Sequence, residues 1–445
     1  MTRVLLVGGG AREHAIAEAL ARSGADVQLY ACLPNANPGI LALAETHVIV
    51  KDTEARAIAQ HAKAWSIEYA VVGPDAALAA GVTDELQKVG VKVAAPTKAA
   101  AEIEWNKAFM RDLLERHRIH GRVKFELHKS EEGLRDAIAR MWPLAVKPLG
   151  LTGGKGVKVS GDHLSGVDDA LEYARECLAG GAVLLEEKVE GEEFSLMAFC
   201  DGASCVPMPA VQDHKRAFEG DQGPNTGGMG SYSGPDGLLP FVTRNDYEKG
   251  VAILNEILAA MRKEGRPFVG TIYGQFMLAR DGPRVIEINA RFGDPEAMNV
   301  LTLLESSYLD IIKGMAAGKL EPSAVRFSRK ATVCKYVVPE GYGVKSKANE
   351  PLTVDEAAIA RTGARCYYAA INQTGGARGG RVEATTTTSR SVGIVGIGDS
   401  IADANAMADA ALAHVQGPHL FVRRDIGTQA LLDKRVATMR RVRGG

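Results

Sequence analysis

The chain has little cysteine, no surplus of charge and no long apolar run, and each shortage removes a class of function. Six cysteines are scattered over 445 residues, at Cys32, Cys177, Cys200, Cys205, Cys334 and Cys366, with no C-x-x-C among them. That pattern argues against a disulfide-stapled scaffold and a thiolate zinc site, and predicts small buried residues in a reducing compartment. Lysine plus arginine (53) nearly equals aspartate plus glutamate (54), so no net field points toward nucleic acid or an anionic membrane. No apolar stretch is long enough to span a bilayer, and no secretory signal precedes the first predicted strand, which begins at Arg3. The expectation is a cytoplasmic protein of roughly two to four domains. Its hydrophobic content of 46% is that of a chain with ordinary globular cores.

The first block reads as alternating strand and helix. Val4–Val7 is a buried strand, Gly8-Gly9-Gly10 opens a turn that runs through Arg12-Glu13-His14, and Ala15 to Arg22 has helical composition. Val27–Tyr30 and Ala70–Val72 are further strands, with helix predicted from Thr53 to Trp65. This order predicts a parallel, Rossmann-like sheet covered on both faces. The glycines permit a tight turn, and the helix beyond offers free amides to an anion. The motif is not G-x-G-x-x-G, and residues 28–32 lack the acid that would hold a dinucleotide ribose. A phosphate site is favoured over a nicotinamide site.

The second block runs from about Ile103 to Gly318. Leu144–Pro148 is a short strand carrying Lys147, followed by the glycine loop Gly150-Leu-Thr-Gly-Gly-Lys-Gly156 and apolar Val157–Val159. No helix and no Lys-Ser/Thr pair follow, so this is not a P-loop, and a loop whose amides fold over phosphates fits better than a plain hairpin. Val183 to Ser195 reads as strand, bend at Glu190-Gly191, and strand; its many glutamates read locally as solvated surface. Gln212 to Gly234 shows no regular element, and a loop of that length within a compact domain points to function. His117 and His120, without a further ligand nearby, read as a surface pair rather than a metal site.

A third block follows the polar connection at 318–323. Arg329–Val338, Ala364–Ile371 and Arg390–Ile397 read as strands, Thr385 to Thr388 as a strand or its edge, and Ile401–Val415 as a helix capped by Gly398-Asp399-Ser400. The most informative stretch lies before it, in Val285-Ile-Glu-Ile-Asn289. Strand alternation puts Glu287 and Asn289 on one face, with Ile286 and Ile288 turned to the core. Paired oxygen donors of this kind suit Mg²⁺, which keeps water and phosphate ligands beside one or two protein oxygens. On alternation alone, an amphipathic edge strand facing water stands equal to it.

Taken together, the chain resembles the ATP-grasp family along essentially its whole length. The carriers are Gly10-Ala-Arg-Glu-His-Ala15, Val72-Gly-Pro-Asp75 with Gly81-Val-Thr-Asp84, Lys107-Ala-Phe109 and Gly153-Gly-Lys-Gly-Val157. More specific are Gln212-Asp-His-Lys-Arg216, Gly223-Pro-Asn-Thr-Gly-Gly-Met-Gly230 and Arg291-Phe-Gly-Asp-Pro-Glu296, with Gly379-Gly-Arg-Val382 and Arg424-Asp-Ile-Gly427 near the end. The resemblance implies a multidomain α/β and α+β protein. An N-terminal Rossmann-like, pre-ATP-grasp unit (1–102) would precede an ATP-grasp unit (103–325) with a mobile lid (about 121–192) and a small C-terminal α+β unit (326–445). It implies a ligase of purine synthesis that uses ATP to join glycine to 5-phosphoribosylamine through an acyl phosphate, with Mg²⁺ or Mn²⁺ as metal. A transient contact with the enzyme supplying phosphoribosylamine is implied as well.

The same resemblance distributes the roles. Lys107 and Lys147 would meet ATP phosphates beneath Gly153, Gly154, Lys155 and Gly156. Glu186, Lys188 and Val189 would form the adenine hinge, and Glu193 would hold the ribose. Glu287 and Asn289 would hold the metal, with Gln275 standing where the family usually places a third acid. Arg291 would stabilise the acyl phosphate. Asp213 and Asp294, with Thr226, Gly227 and Gly228, would surround the amino acid. Gly9, Gly10, Arg12, Glu13, His14 and Asp75 would receive the phosphoribosylamine. The Leu33–Gly39 loop departs from the family pattern, and no contacts are assigned to it. A different ATP-grasp carboxylate–amine ligase is the nearest rival. A nicotinamide oxidoreductase leaves Lys147 and Glu287 unexplained, and a silent nucleotide-binding scaffold leaves the lysines, the metal donors and Arg291 without purpose.

Overall fold

The computed structural model describes residues 1–24, 26–150, 156–375 and 380–444. Near the N-terminus, five parallel strands stand in the spatial order Thr46–Ile49, Val27–Leu33, Thr2–Val7, Tyr69–Val72, Lys92–Val93. Val4 to Val7 have no exposed surface, as expected of a strand covered on both faces. The order reverses at Thr2–Val7, so the turns after Val7 and Val72 meet at the carboxyl edge of the sheet, the switch point at which such sheets receive ligands. The following helix begins at Ala11, earlier than the sequence suggests, because the Glu13 carboxylate turns back to accept the Gly10 N–H at 2.8 Å and closes the first turn.

Two antiparallel sheets are built from the middle of the chain. One, ordered Phe125–His128, Val183–Glu187, Leu144–Pro148, Lys158–Val159, packs with helices Leu134–Met141 and Val167–Leu178 around its own small core of Leu134, Ile138, Val146, Leu171 and Leu185. The other, ordered Cys205–Pro207, Glu192–Asp201, Val269–Ala279, Gly282–Asn289, forms a platform whose inner face joins the main core. A separate core under the first sheet leaves it attached to the platform by few elements, the construction expected of a lid.

The C-terminal part differs from expectation in one important way. The stretch 212–234 is not irregular: it contains Gln212–Asp213, Arg216–Phe218, Gln222–Asn225 and Gly230–Ser233 as strands. Two of these join a sheet with Ala331–Pro339, Val392–Gly398, Arg365–Tyr368 and Leu420–Val422. Gly230–Ser233 pairs with Thr332–Lys335, about a hundred residues away, so no local alternation announces it. The single strand expected at Ala364–Ile371 is two, Arg365–Tyr368 and Ile371–Gln373, which belong to different sheets. The cysteines are unpaired, and Cys205 and Cys366 are only half-buried, against the expectation of uniform burial. Among the described residues no helix is long and apolar enough to cross a membrane.

Helix Ile401–Leu412 lies directly on strand Val392–Gly398, where a Cβ at Gly396 would stand 1.9 Å from the Ala404 carbonyl oxygen. We expect Gly396→Ala to lower the unfolding free energy by about 1–3 kcal/mol through overpacking, read as a lower urea midpoint at constant slope. An unchanged midpoint would show that the helix yields freely.

Candidate functional site

The lid and platform sheets enclose a cleft into which charged residues from both converge. The strand carrying Glu287 is bulged. Glu287 is opposite Gln275 and Val285 is opposite Phe276, which leaves Ile286 as the extra residue. Ile286 is therefore half-buried instead of turned into the core, while Val285 and Ile288 are buried. Its carbonyl, freed from the ladder, accepts from Arg111 Nη2 at 2.8 Å and from Lys147 Nζ at 3.5 Å.

Glu186 occupies the centre of the cleft wall, and the glutamates around it are not all solvated surface: Glu186 and Glu192 are buried. The Glu186 carboxylate takes two bonds from Arg111, at 2.7 and 2.8 Å, and an ion pair from Lys147 at 2.6 Å. Burial opposes its charge, but Arg111 and Lys147 outweigh burial and hold its carboxyl below the usual range. The expected adenine contact thus does not come from the Glu186 side chain, whose oxygens are committed to cations. Lys188 is tethered through Nζ to the Ser160 carbonyl at 2.7 Å, and with Val189 it lines an open cavity beside the lid. Lys107 begins the helix Lys107–Arg116 and donates to the Gly150 carbonyl; burial lowers its pKa. Gly153, Gly154 and Lys155 lie outside the described residues, as does Gly379, and Gly156 accepts from the Tyr173 hydroxyl at 2.7 Å.

Glu287 remains a carboxylate although burial resists it, because Lys215, Lys147 and Arg291 surround it and draw its pKa down. Asn289 is adjacent, its amide nitrogen 3.5 Å from Glu287 Oε1 and its oxygen accepting from Arg291 at 3.1 Å. An ionised carboxylate beside an amide oxygen, facing lysines suited to phosphate, fits a cation that takes the rest of its shell from phosphate and water. Gln275 stands directly opposite Glu287 in the strand pair. It is buried; its oxygen accepts from Tyr273 Oη and, at 3.4 Å, from Ser195 Oγ, and its nitrogen donates to Glu193 at 2.8 Å. Like the Asn289 oxygen with Arg291, its oxygen is shared with a neighbouring donor, and its nitrogen ties it to Glu193. Among the described residues no cluster of three His, Cys, Asp or Glu has metal-ligand geometry.

Arg291 is aimed by a residue the sequence reading missed. Glu104, on helix Lys98–Trp105, pairs with Arg291 Nη2 at 2.9 Å and accepts the Ala290 N–H at 2.8 Å. Lys215 was also passed over, although it sits in a quoted motif; it is 3.5 Å from Glu193. Burial opposes its charge, yet Glu193 and Glu287 hold its pKa high. Asp213 is the orphan of the cleft. One of its oxygens is buried without a partner under Gly228, and burial together with Glu296 pushes its carboxyl well above the usual range.

Asp294 does not face the cleft alone. It pairs with Arg390 at 3.2 Å and accepts from the Tyr336 hydroxyl at 2.5 Å. The same Arg390 donates to the Gly227, Gly228 and Asp294 carbonyls at 2.6, 3.3 and 2.9 Å, stacked 4.6 Å over the Tyr336 ring. Thr226 bonds the Lys215 carbonyl at 2.8 Å and accepts the Gly228 N–H at 3.1 Å. The Thr226–Gly228 turn and Asp294, on separate segments, are thus clamped together by a C-terminal arginine. Arg390 stands outside every quoted motif, so no sequence signal marked it.

At the switch point, the Gly9 carbonyl accepts from the buried Asn37 amide at 3.0 Å, and Asn37 also donates to the Tyr368 carbonyl at 2.7 Å. The unassigned Leu33–Gly39 loop is thereby the strut under the glycine turn. Arg12 reaches the Phe292 carbonyl at 3.1 Å, beside Arg291. Asp75 begins helix Asp75–Ala79 and stands close enough to Arg291 and Glu104 to perturb both. Two expected substrate residues also make structural contacts. Glu13 is buried, caps its helix and pairs with Arg12 at 2.7 Å, and His14 is buried against Gly39 and stacked on Tyr368 at 5.8 Å. His14 Nδ1 accepts the Tyr368 N–H at 3.0 Å.

Burial lowers the His14 pKa from 6.5 to about 4. Between these values the unfolded chain binds the proton and the folded one does not. Stability should therefore fall as pH drops through that window, by up to ~1.4 kcal/mol per pH unit. We expect denaturation curves between pH 7 and pH 4 to show a shallower slope for His14→Asn than for the parent. Equal slopes would remove His14 as a source.

Residues 2–104 match the N domain of phosphoribosylglycinamide synthetase, 105–297 its ATP-grasp (A) domain and 332–429 its C domain. The phosphoribosylamine–glycine ligase of Methanocella arvoryzae is 47% identical over 443 residues, covering 99% of this chain and 100% of the relative. The crystal structure of phosphoribosylamine–glycine ligase from Thermotoga maritima superposes with a TM-score of 0.77 at 27% identity, covering 96% of this chain and 100% of that one. The biotin carboxylase domain of Hydrogenobacter thermophilus 2-oxoglutarate carboxylase, in complex with MgADP, shares the fold at a TM-score of 0.73 and 14% identity, over 97% and 95% of the two chains. The chain belongs to the phosphoribosylglycinamide synthetase family, ATP-dependent enzymes built on the ATP-grasp fold.

Proposed function

We infer that the chain is a phosphoribosylamine–glycine ligase of purine synthesis, and that its cleft carries out both halves of that reaction. The glycine carboxylate takes the γ-phosphoryl group of ATP, giving glycyl phosphate and ADP. The amine of 5-phosphoribosylamine then attacks the carbonyl, the amide bond forms, a proton is lost from nitrogen, and phosphate leaves as glycinamide ribonucleotide forms. No covalent enzyme intermediate is required, so the task is positioning and charge neutralisation. The observation that carries this reading is that the acceptor turn and the phosphoryl site are one continuous structure: Arg12 on the first helix donates to the Phe292 carbonyl, the residue next to Arg291.

Lys107 and Lys147 bind ATP phosphates under the glycine loop that includes Gly153, Gly154, Lys155 and Gly156, with Lys188 and Val189 at the base and Glu193 at the ribose. Glu287 and Asn289 would hold Mg²⁺ or Mn²⁺, which screens phosphate charge during transfer. Arg291, aimed by Glu104, meets the developing acyl phosphate. Asp213, Asp294 and the turn of Thr226, Gly227 and Gly228 enclose glycine, and a substrate ammonium arriving at Asp213 restores the charge that burial suppresses. Gly9, Gly10, Arg12 and Asp75 receive phosphoribosylamine. The working units in this reading are 1–102, 103–325 with its lid, and 326–445. A cytoplasmic setting, with direct hand-over from the enzyme making the unstable amine, fits this chemistry.

Phosphate release should require ATP, Mg²⁺, glycine and freshly made phosphoribosylamine together. Release that ignores either co-substrate would refute the assignment. Glu287→Gln is expected to cut turnover at least about a hundredfold, on the scale reported for losing one preorganised charge-stabilising group, and to raise the Mg²⁺ requirement. A variant with the parent's Mg²⁺ dependence would take Glu287 out of the metal site. Arg390→Lys keeps the charge but loses the three-carbonyl clamp, and should raise KM for glycine more than KM for ATP in the same assay.

A further inference from the structure

Arg111 lies on the helix that begins with Lys107, one turn further along, and its side chain is essentially without solvent exposure. Its guanidinium makes four bonds. Nε and Nη2 grip both oxygens of Glu186 at 2.7 and 2.8 Å, while Nη1 and Nη2 donate to the carbonyls of Val285 and Ile286, each at 2.8 Å. Glu186 belongs to the lid sheet, and Val285 and Ile286 lie on the platform strand just before Glu287. One side chain therefore ties three parts together: the helix of Lys107, the lid strand facing Lys147, and the bulge preceding the proposed metal donor.

We propose that Arg111 is a positioning residue for the nucleotide phosphates, acting through Glu186 on Lys147. The Glu186 carboxylate has two cationic neighbours, and the bidentate grip of Arg111 fixes its plane, so that its Oε2 holds the Lys147 ammonium at 2.6 Å. Without that grip the carboxylate turns toward Lys147, the ammonium is drawn off the line of the phosphates, and the Ile286 carbonyl loses its strongest donor. A lysine at this position keeps the charge but has no planar fork to reach both a carboxylate and two carbonyls. Arg111 need not touch ATP for this effect.

The inference rests on the ligase reading only for its nucleotide, so the test is direct MgATP binding by calorimetry without glycine or phosphoribosylamine. Failure of the acceptor assignment leaves that measurement intact. We expect Arg111→Lys, with folding checked by its melting curve, to weaken MgATP binding about tenfold, the scale of one charge-assisted hydrogen bond. Glu186→Gln should weaken it comparably. In the double variant the loss should not exceed that of the worse single variant, because both act through one carboxylate. A melting temperature that falls while MgATP affinity stays within twofold would mark Arg111 as a structural tie alone. Additive losses in the double variant would separate it from Glu186. Should Arg111→Lys fail to fold, Glu186→Gln decides alone, and an unchanged affinity in it overturns the proposal.

Discussion

Matched buried charge is the condition on which this cleft depends. Glu186 and Glu104 are carboxylates removed from water, each held by a guanidinium or ammonium that is itself largely removed from water, and half-buried Glu287 is kept ionised by nearby Lys215, Lys147 and Arg291. Taking one partner away strands the other, at a cost of roughly 3–5 kcal/mol. The pairs share elements: Arg111 joins the helix of Lys107 to the lid strand and to the platform strand, and Glu104 joins its helix to Arg291 beyond that strand. That arrangement suits phosphoryl transfer, in which the protein's task is to have charges waiting at the right places.

A second consequence concerns the C-terminal part, which is not an appendage. Strands from 212–234 lie in its sheet, so the turn proposed to enclose glycine is shaped by Arg390 and Tyr336 from that side. The glycine turn at the switch point is braced through Asn37 against Tyr368 in the same way. Further out, Arg423 and Arg435 both reach Asp221, each at 2.7 Å, and hold the hairpin that follows Lys215. Both proposed substrate regions thus have C-terminal struts, and neither is complete within its own stretch of sequence.

What could be read in advance follows the range of the interaction concerned. The parallel N-terminal strands were legible because burial on both faces leaves an unbroken apolar run. Glu287 and Asn289 were legible because they fall on alternate positions of one strand. The bulge at Ile286 was not, since it is set by the register with Gln275 and Phe276 on another strand. The structural contacts of Glu13 and His14 were not legible either: one closes its own helix and the other packs against Gly39 and Tyr368. Arg111 did leave a trace, one helical turn beyond Lys107, but what it grips lies 75 and 174 residues away.

By itself, the sequence determined the chemical inventory: two lysines and a glycine loop, a carboxylate and an amide on one face of a strand, and an arginine beyond them. These are local facts of residue type and spacing. Only the tertiary structure decided which of those groups are free to act. Gln275 is shared with Tyr273, Ser195 and Glu193; Glu186 is taken by Arg111 and Lys147; Asp213 is left without a partner for one of its oxygens. The reason is that a buried polar atom must find a partner wherever the fold brings one, and here those partners come from other strands and helices, far along the chain.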